Sequence, residues 1–86
     1  MSDTSEVIRH EAAFLLGATR DKRAVNALIK SVKRDPSNLV RHEAIEALGD
    51  LKIKSADVTN LLKQLTKSKV SFIRDTAVVA LRTLEI

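Results

Sequence analysis

Two histidine–glutamate pairs are the residues of this sequence best suited to chemistry. The chain has two histidines, His10 and His42, and both occur in the phrase Arg-His-Glu-Ala, so that Glu11 and Glu43 follow them directly. The pairs are 32 residues apart, a spacing typical of helical repeats, in which equivalent positions stack on neighbouring units. Imidazole nitrogens and carboxylate oxygens both bind iron, manganese and zinc. The four side chains are therefore candidate ligands of a metal site.

A single His-Glu dipeptide cannot enclose an ion, because adjacent residues point about 100° apart on a helix. Helices stacked about 10 Å apart would allow side chains from matching positions to meet around one ion or a pair. The alternative is that both phrases are surface positions that were copied together when the repeat duplicated. The residues alone leave both interpretations open.

Helix-forming residues dominate the chain, and two Gly and one Pro leave little material for turns between strands. Asp3 with Glu6 resembles a capping box, Asp21 is a candidate N-cap, Pro36 suits a first helical position and Gly17 suits a C-terminal cap. Five helices are predicted: Asp3 to Leu16, Lys22 to Arg34, Asp35-Pro36-Ser37 to Gly49, Ser55 to Lys67, and Ser71 to Leu84.

The odd-numbered helices align with one another, and so do the even-numbered ones. Residues 8–13 match 40–45 and 73–78, where Asp75-Thr76 replaces the His-Glu pair. The sequence therefore predicts an alternating array of A helices (second and fourth) and B helices (first, third and fifth). The arginines that precede the dipeptides are expected to pair with acids of neighbouring repeats: Arg9, Arg41 and Arg74. Apolar residues on one side of the first helix are expected in the core: Ile8, Ala12, Leu15 and Leu16.

The phrases Asp21-Lys22-Arg23-Ala24-Val25 and Val40-Arg41, with Ala44 and Ala47-Leu48-Gly49, resemble HEAT repeats of the type named after phycobilisome lyases. The resemblance covers nearly the whole chain. It implies a single all-α domain over residues 1–86, a right-handed α–α superhelix (HEAT-like solenoid) of five helices and about two and a half repeats.

The B helices also resemble those of deoxyhypusine hydroxylase, a HEAT-repeat dinuclear-iron monooxygenase family, in His10-Glu11-Ala12 and in the segment Val40 to Gly49. That family has two such halves, whose four His-Glu pairs enclose two irons that activate O₂. This chain resembles one half. The resemblance implies that His10, Glu11, His42 and Glu43 are metal ligands of a hydroxylase-like oxidoreductase. A homodimer would restore the full ligand set around a dinuclear iron centre shared by two copies.

The rival hypothesis is a non-catalytic scaffold that binds a protein partner on the concave face of the B helices. A self-association surface is expected either at the first helix, around Phe14, or at the last helix, around Val79, because the end of a solenoid leaves apolar area exposed. The A helices are rich in Lys and Arg, so a nucleic-acid accessory module that uses this basic face is a third hypothesis. No nucleic-acid-binding signature accompanies these residues, and a nucleic-acid partner is therefore not the expected one.

Composition excludes further classes of function. The chain has no cysteine and therefore neither a disulfide nor a thiolate metal site. It has no Trp or Tyr and two Phe, so stacking platforms for single-stranded nucleic acid are missing. The net charge of +4 permits an acidic partner without specifying one. No apolar run reaches the ~20 residues of a membrane span and no signal peptide precedes the first helix, so a cytoplasmic location is expected.

Overall fold

The computed structural model describes residues 5–85, and within this range the chain is an array of α-helices without strands. The all-α prediction is confirmed. One short 3₁₀ turn, Lys22–Ala24, precedes the second helix. The helices are α1 Glu6–Ala18, α2 Val25–Arg34, α3 Asn38–Asp50, α4 Ala56–Leu65 and α5 Ser71–Glu85.

The helices form two layers, as the repeat pattern predicts. The B layer consists of α1, α3 and α5, with α3 packed between the other two, while α2 packs on α3 and α4 packs on α5. Leu28 and Val32 of α2 and Val58 and Leu62 of α4 are fully buried. They belong to one hydrophobic core with the B-layer side chains Ala44, Ile45, Leu48 and Ile73. The overall extents of 34 × 30 × 16 Å are those of a slab two helices thick.

Serine hydroxyls cap the starts of three helices. Ser5, Ser37 and Ser55 accept hydrogen bonds from the backbone N–H three residues on, at 3.2–3.3 Å. Asp21 caps the 3₁₀ turn by accepting from the Arg23 N–H, which confirms its predicted role. The predicted start of the first helix at Asp3 lies outside the described residues.

Some predicted helix boundaries are wrong. Pro36 does not occupy the first helical position of α3, because the hydroxyl of Ser37 caps the helix and α3 begins at Asn38. The fourth helix ends at Leu65 rather than at Lys67, and the Thr66 hydroxyl then donates to the Lys63 carbonyl.

The two glycines act through their size rather than through a left-handed backbone. Both Gly17 and Gly49 lie inside helices and neither has a positive φ, so the predicted C-terminal cap at Gly17 is wrong. A Cβ at Gly17 would lie 2.8 Å from the Cβ of Ala47, and a Cβ at Gly49 would lie 3.3 Å from that of Ala80. The glycines therefore let consecutive B helices approach closely, and positive φ occurs instead at Arg20 and Lys52.

The free side of α1 is apolar and exposed. Ile8 and Leu15 were expected in the core but are 57% and 51% exposed, because on the side away from α3 no described helix covers α1. Val7 and Phe14 are also more than half exposed. α1 instead buries Ala13 and Gly17 against the array. We call the four exposed residues the α1 edge: Val7, Ile8, Phe14 and Leu15.

Candidate metal centre

The candidate metal centre is on the second B helix, where three side chains with metal-binding atoms converge. His42, Glu43 and Glu46 each offer a nitrogen or oxygen atom, and these atoms all lie within 4.8 Å of one another. The spacing explains the convergence, since residues one turn apart share a helix face. The Nε2 of His42 lies 2.9 Å from Oε1 of Glu46. The resulting donor set is one imidazole and two carboxylates, which suits iron, manganese or zinc.

Glu43 joins this group to the first His-Glu pair. Its Oε1 lies 3.6 Å from Nε2 of His10 on the neighbouring helix α1, and its side chain is only 14% exposed. Burial raises the pKa of the Glu43 carboxyl, and the charge of Glu46 raises this pKa further, while His10 and His42 lower it. A cation at this position would offset both causes of the raised pKa.

His42 is held from α5. Its Nδ1 lies 2.6 Å from the hydroxyl oxygen of Thr76, and its ring stacks on that of Phe72 with centroids 4.4 Å apart. Thr76 in turn donates to the backbone carbonyl of Phe72 at 2.7 Å. The ring of His42 is thus fixed on one side while its Nε2 points to the carboxylate of Glu46.

The predicted ligands are distributed unevenly. His42 and Glu43 belong to the converging group, and His10 reaches it through Glu43. Glu11 is exposed and shares a stripe of α1 with Val7 and Phe14, because positions i, i+4 and i+7 lie on one side of a helix. Its role as a ligand stays a prediction.

Glu46 is a candidate ligand that lies outside the repeated dipeptides. Its equivalents in the other repeats are Phe14 and Val79, so the repeat pattern does not mark it as a candidate ligand. Its spacing of four residues from His42 was the available signal.

Two acidic clefts flank this group. The cleft between α3 and α5 has a volume of about 230 Å³, and the one between α1 and α3 about 170 Å³. Glu46 and Asp50 line both, Asp75 adds a carboxylate to the first, and Glu43 adds one to the second. The candidate metal centre is therefore reached from two sides through surfaces of negative charge.

The three arginines in register have different partners. Arg9 forms a two-pronged ion pair with Asp35, at 2.9 and 3.3 Å, as expected for an acid of the neighbouring repeat. The Nε of Arg41 donates instead to the backbone carbonyl of Val32 at 2.9 Å. Arg74 lies 3.7 Å from its own neighbour Asp75. The expectation of pairing between repeats is therefore right for Arg9 and wrong for the other two.

Among residues 5–85, every helix is too short or too polar to cross a lipid bilayer.

Comparison with known proteins agrees with the repeat pattern. Residues 1–82 match the family model described as HEAT repeats. The chain is 40% identical over 84 residues to deoxyhypusine hydroxylase of Rattus norvegicus, covering 96% of this chain and 27% of that protein. It is 41% identical over 85 residues to deoxyhypusine hydroxylase of Arabidopsis thaliana, covering 96% and 26%. For the protein of that name from Homo sapiens the identity is 37% over 86 residues, covering 96% and 27%. The chain thus spans about a quarter of the length of these curated relatives.

Proposed function

The chain belongs to the HEAT-repeat family and is related to deoxyhypusine hydroxylase, and from this we propose that it is a non-haem iron-binding module of hydroxylase-like type, completed by a second copy of itself. The hydroxylase homologues use a di-iron centre. The observation that carries the proposal is the convergence of His42, Glu43 and Glu46 within 4.8 Å, with His10 placed against Glu43.

The donor atoms of His42 and Glu46 have the separation that an iron ion requires. Metal–ligand bonds to imidazole and carboxylate are about 2.0–2.2 Å long, so two ligands at roughly a right angle are about 3 Å apart. The separation of 2.9 Å between His42 Nε2 and Glu46 Oε1 matches this geometry. When bound, iron would supply the activation of O₂. The protein's own contribution is to hold the imidazoles and carboxylates and to exclude water from Glu43, which is largely buried.

A second copy would dock on the α1 edge. Glu43 reaches the histidine of the preceding B helix, whereas Glu11 faces the open side of α1, among the apolar residues of the edge. A two-fold partner on this edge would cover those apolar side chains and bring a second set of His-Glu pairs toward Glu11. Helix α1 therefore carries both the surface on which the second copy docks and part of the candidate ligand set.

Metal binding is tested by anaerobic reconstitution of the untagged protein with Fe(II), followed by measurement of iron per chain. We expect about one iron per chain in a dimer whose two halves share a dinuclear site. Changing both His10 and His42 to Ala should abolish binding. A matched control is Asp57→Asn, an exposed acid on α4, which should retain the iron. Equal iron content in the double variant would refute the metal site and would favour the non-catalytic scaffold.

The docking surface is tested by solution mass from light scattering. Val7→Glu places a charge on the α1 edge, where Val7 is 73% exposed, and should shift the protein to a monomer. Val79→Glu is the matched control at the opposite end of the B layer, where Val79 is 61% exposed, and should leave the dimer intact. The reverse result would move the interface to α5, and a wild-type monomer that binds iron would refute the shared site.

A further inference from the structure

Thr76 stands in the third repeat at the position that Glu43 occupies in the second. Glu43 reaches back to His10 on the preceding B helix, and Thr76 likewise reaches back to His42, with Oγ1 2.6 Å from Nδ1. Thr76 is 8% exposed, so this hydroxyl is a buried polar group in the contact between α3 and α5. In the third repeat, the residue at the second position of the dipeptide therefore still contacts the histidine of the preceding B helix, although the His-Glu pair itself is replaced there.

The hydrogen bonds of Thr76 determine which nitrogen of His42 carries the proton. A hydroxyl has one hydrogen, and the Phe72 carbonyl, 2.7 Å away, can only accept. The Thr76 hydroxyl must therefore donate to that carbonyl, which leaves its oxygen to accept from His42. The Nδ1 of His42 is then the protonated nitrogen, and the lone pair of the neutral ring is on Nε2.

That lone pair points to the candidate metal centre. Nε2 of His42 lies 2.9 Å from the Glu46 carboxylate, so a metal ion bound here would take lone pairs from both atoms. Phe72 stacks on the ring at 4.4 Å with an interplanar angle of 22°, which opposes rotation of the imidazole. One turn of α5 therefore supplies both the tautomer and the orientation of His42.

We propose that Thr76 is a positioning residue for the metal ligand His42, and that it holds Nε2 as the donor atom by accepting a hydrogen bond from Nδ1. The proposal rests on the proposed function. Outer partners of this kind fix the tautomer of a ligating histidine, and their loss weakens metal affinity by about 10–100-fold.

Three variants of α5 test this role. Thr76→Val keeps the shape and removes the hydroxyl, and Thr76→Ser restores the hydroxyl. Thr83→Val is the matched control, because Thr83 also donates to the carbonyl four residues back, at 3.0 Å to Val79. Affinity for Fe(II) alone is measured anaerobically by competition with a chelator, and circular dichroism verifies the fold. We expect Thr76→Val to bind about 10–100-fold more weakly than wild type, with Thr76→Ser and Thr83→Val close to wild type.

A second measurement does not require metal. Imidazole ¹⁵N spectra of the metal-free protein report the tautomer of His42, with His10 as internal reference. Wild type and Thr76→Ser should show the Nδ1–H form, and Thr76→Val should lose this preference. The Nε2–H form in wild type, or unchanged affinity in Thr76→Val, would overturn the positioning role. If wild type binds no Fe(II), the proposed function and the ligand role fail together, while the spectra still decide whether Thr76 sets the tautomer.

Discussion

The carboxylate of Glu43 and the imidazole of His10 lie 3.6 Å apart, although 33 positions separate them along the chain. The contact joins two B helices, because the repeat places the second residue of one dipeptide beside the first residue of the preceding one. The two His-Glu pairs therefore interact electrostatically, because the imidazoles of His10 and His42 both act on the pKa of Glu43 and lower it.

Glu46 should be needed for metal binding even though it lies outside the repeated dipeptides. Glu46→Gln removes the charge that lies 2.9 Å from His42 Nε2, and affinity for Fe(II) should fall by at least about 10-fold. Asp50→Asn is a suitable control, since Asp50 lines the same two clefts one turn further along α3. Equal losses in both variants would indicate a general effect of negative charge rather than ligation.

The raised pKa of Glu43 makes the stability of the metal-free protein depend on pH. The folded-state pKa is above the ordinary value of 4.5, because burial and the charge of Glu46 disfavour the ionised form. The neutral carboxyl therefore contributes stability that is fully present below the unfolded-state pKa and is lost as the pH rises through the folded-state pKa.

Glu43→Gln should remove this loss. The metal-free variant should have a higher Tm than wild type at neutral pH, and the difference should vanish toward about pH 4. Thermal unfolding followed by circular dichroism measures both, with Asp57→Asn, at an exposed acid on α4, as the control. A Tm for Glu43→Gln below that of wild type at neutral pH would contradict the assignment. Since the same variant should bind metal less well, stability and binding are expected to change in opposite directions.

Alanine at the two glycines should have unequal effects. At Gly17 the new Cβ would lie 2.8 Å from Cβ and 3.0 Å from Cα of Ala47, so the helices must separate. Such overpacking costs about 1–3 kcal/mol, partly offset by the better helix propensity of alanine, about 1 kcal/mol. At Gly49 the nearest atoms of Ala80 are 3.3 Å away, and a small shift suffices. Urea unfolding should therefore rank Gly17→Ala below Gly49→Ala in stability, with the latter near wild type.

The ion pair between Arg9 and Asp35 should contribute to stability. Its side chains are 14% and 8% exposed, and Asp35 also accepts from the Ser37 N–H at 2.9 Å. Asp35→Asn should lower the free energy of unfolding by about 1–3 kcal/mol, because the hydrogen bonds it weakens are charge-assisted and shielded from water. Asp21→Asn provides the comparison, since Asp21 likewise pairs with an arginine, Arg23, but in an exposed position where little change is expected. Equal effects in urea unfolding would argue against a role for burial.

Much of the fold could be predicted from periodicity and capping residues. Val25, Leu28 and Ile29 on one face of α2 indicate an amphipathic helix, and Asp21 indicates its start. These signals are local in the sequence, so they can be interpreted without knowing which helices pack against one another. Gly17 shows the limit of local signals. Its position in the sequence is the usual one for a helix cap, but the short distance to Ala47 shows that the helix packing requires the small size of glycine and not its flexibility.

The candidate site could be predicted only where it repeats. The period of the repeat places His10 and His42 on neighbouring helices, whereas Glu46 has Phe14 and Val79 at its equivalent positions and carries no repeat signal. Thr76 belongs to the repeat in which Asp75-Thr76 replaces the His-Glu pair, so the repeat pattern gives no signal for it. Its contact with His42 depends on how closely α5 approaches α3, which is a property of packing and not of spacing along the chain.

The close contact between glycine and alanine has a consequence for the growth of fibres. Gly17 faces Ala47 and Gly49 faces Ala80, but at the two ends of the B layer the equivalent positions are Leu15 and Arg82. Copies stacked head to tail would place the guanidinium of one chain against the leucine of the next. The helix separation in the glycine–alanine contacts accommodates only the hydrogen of glycine and the methyl group of alanine. Head-to-tail contacts that do not close produce open filaments. Leu15 and Arg82 disfavour that mode of growth, so a solenoid with an apolar end can stay a discrete particle.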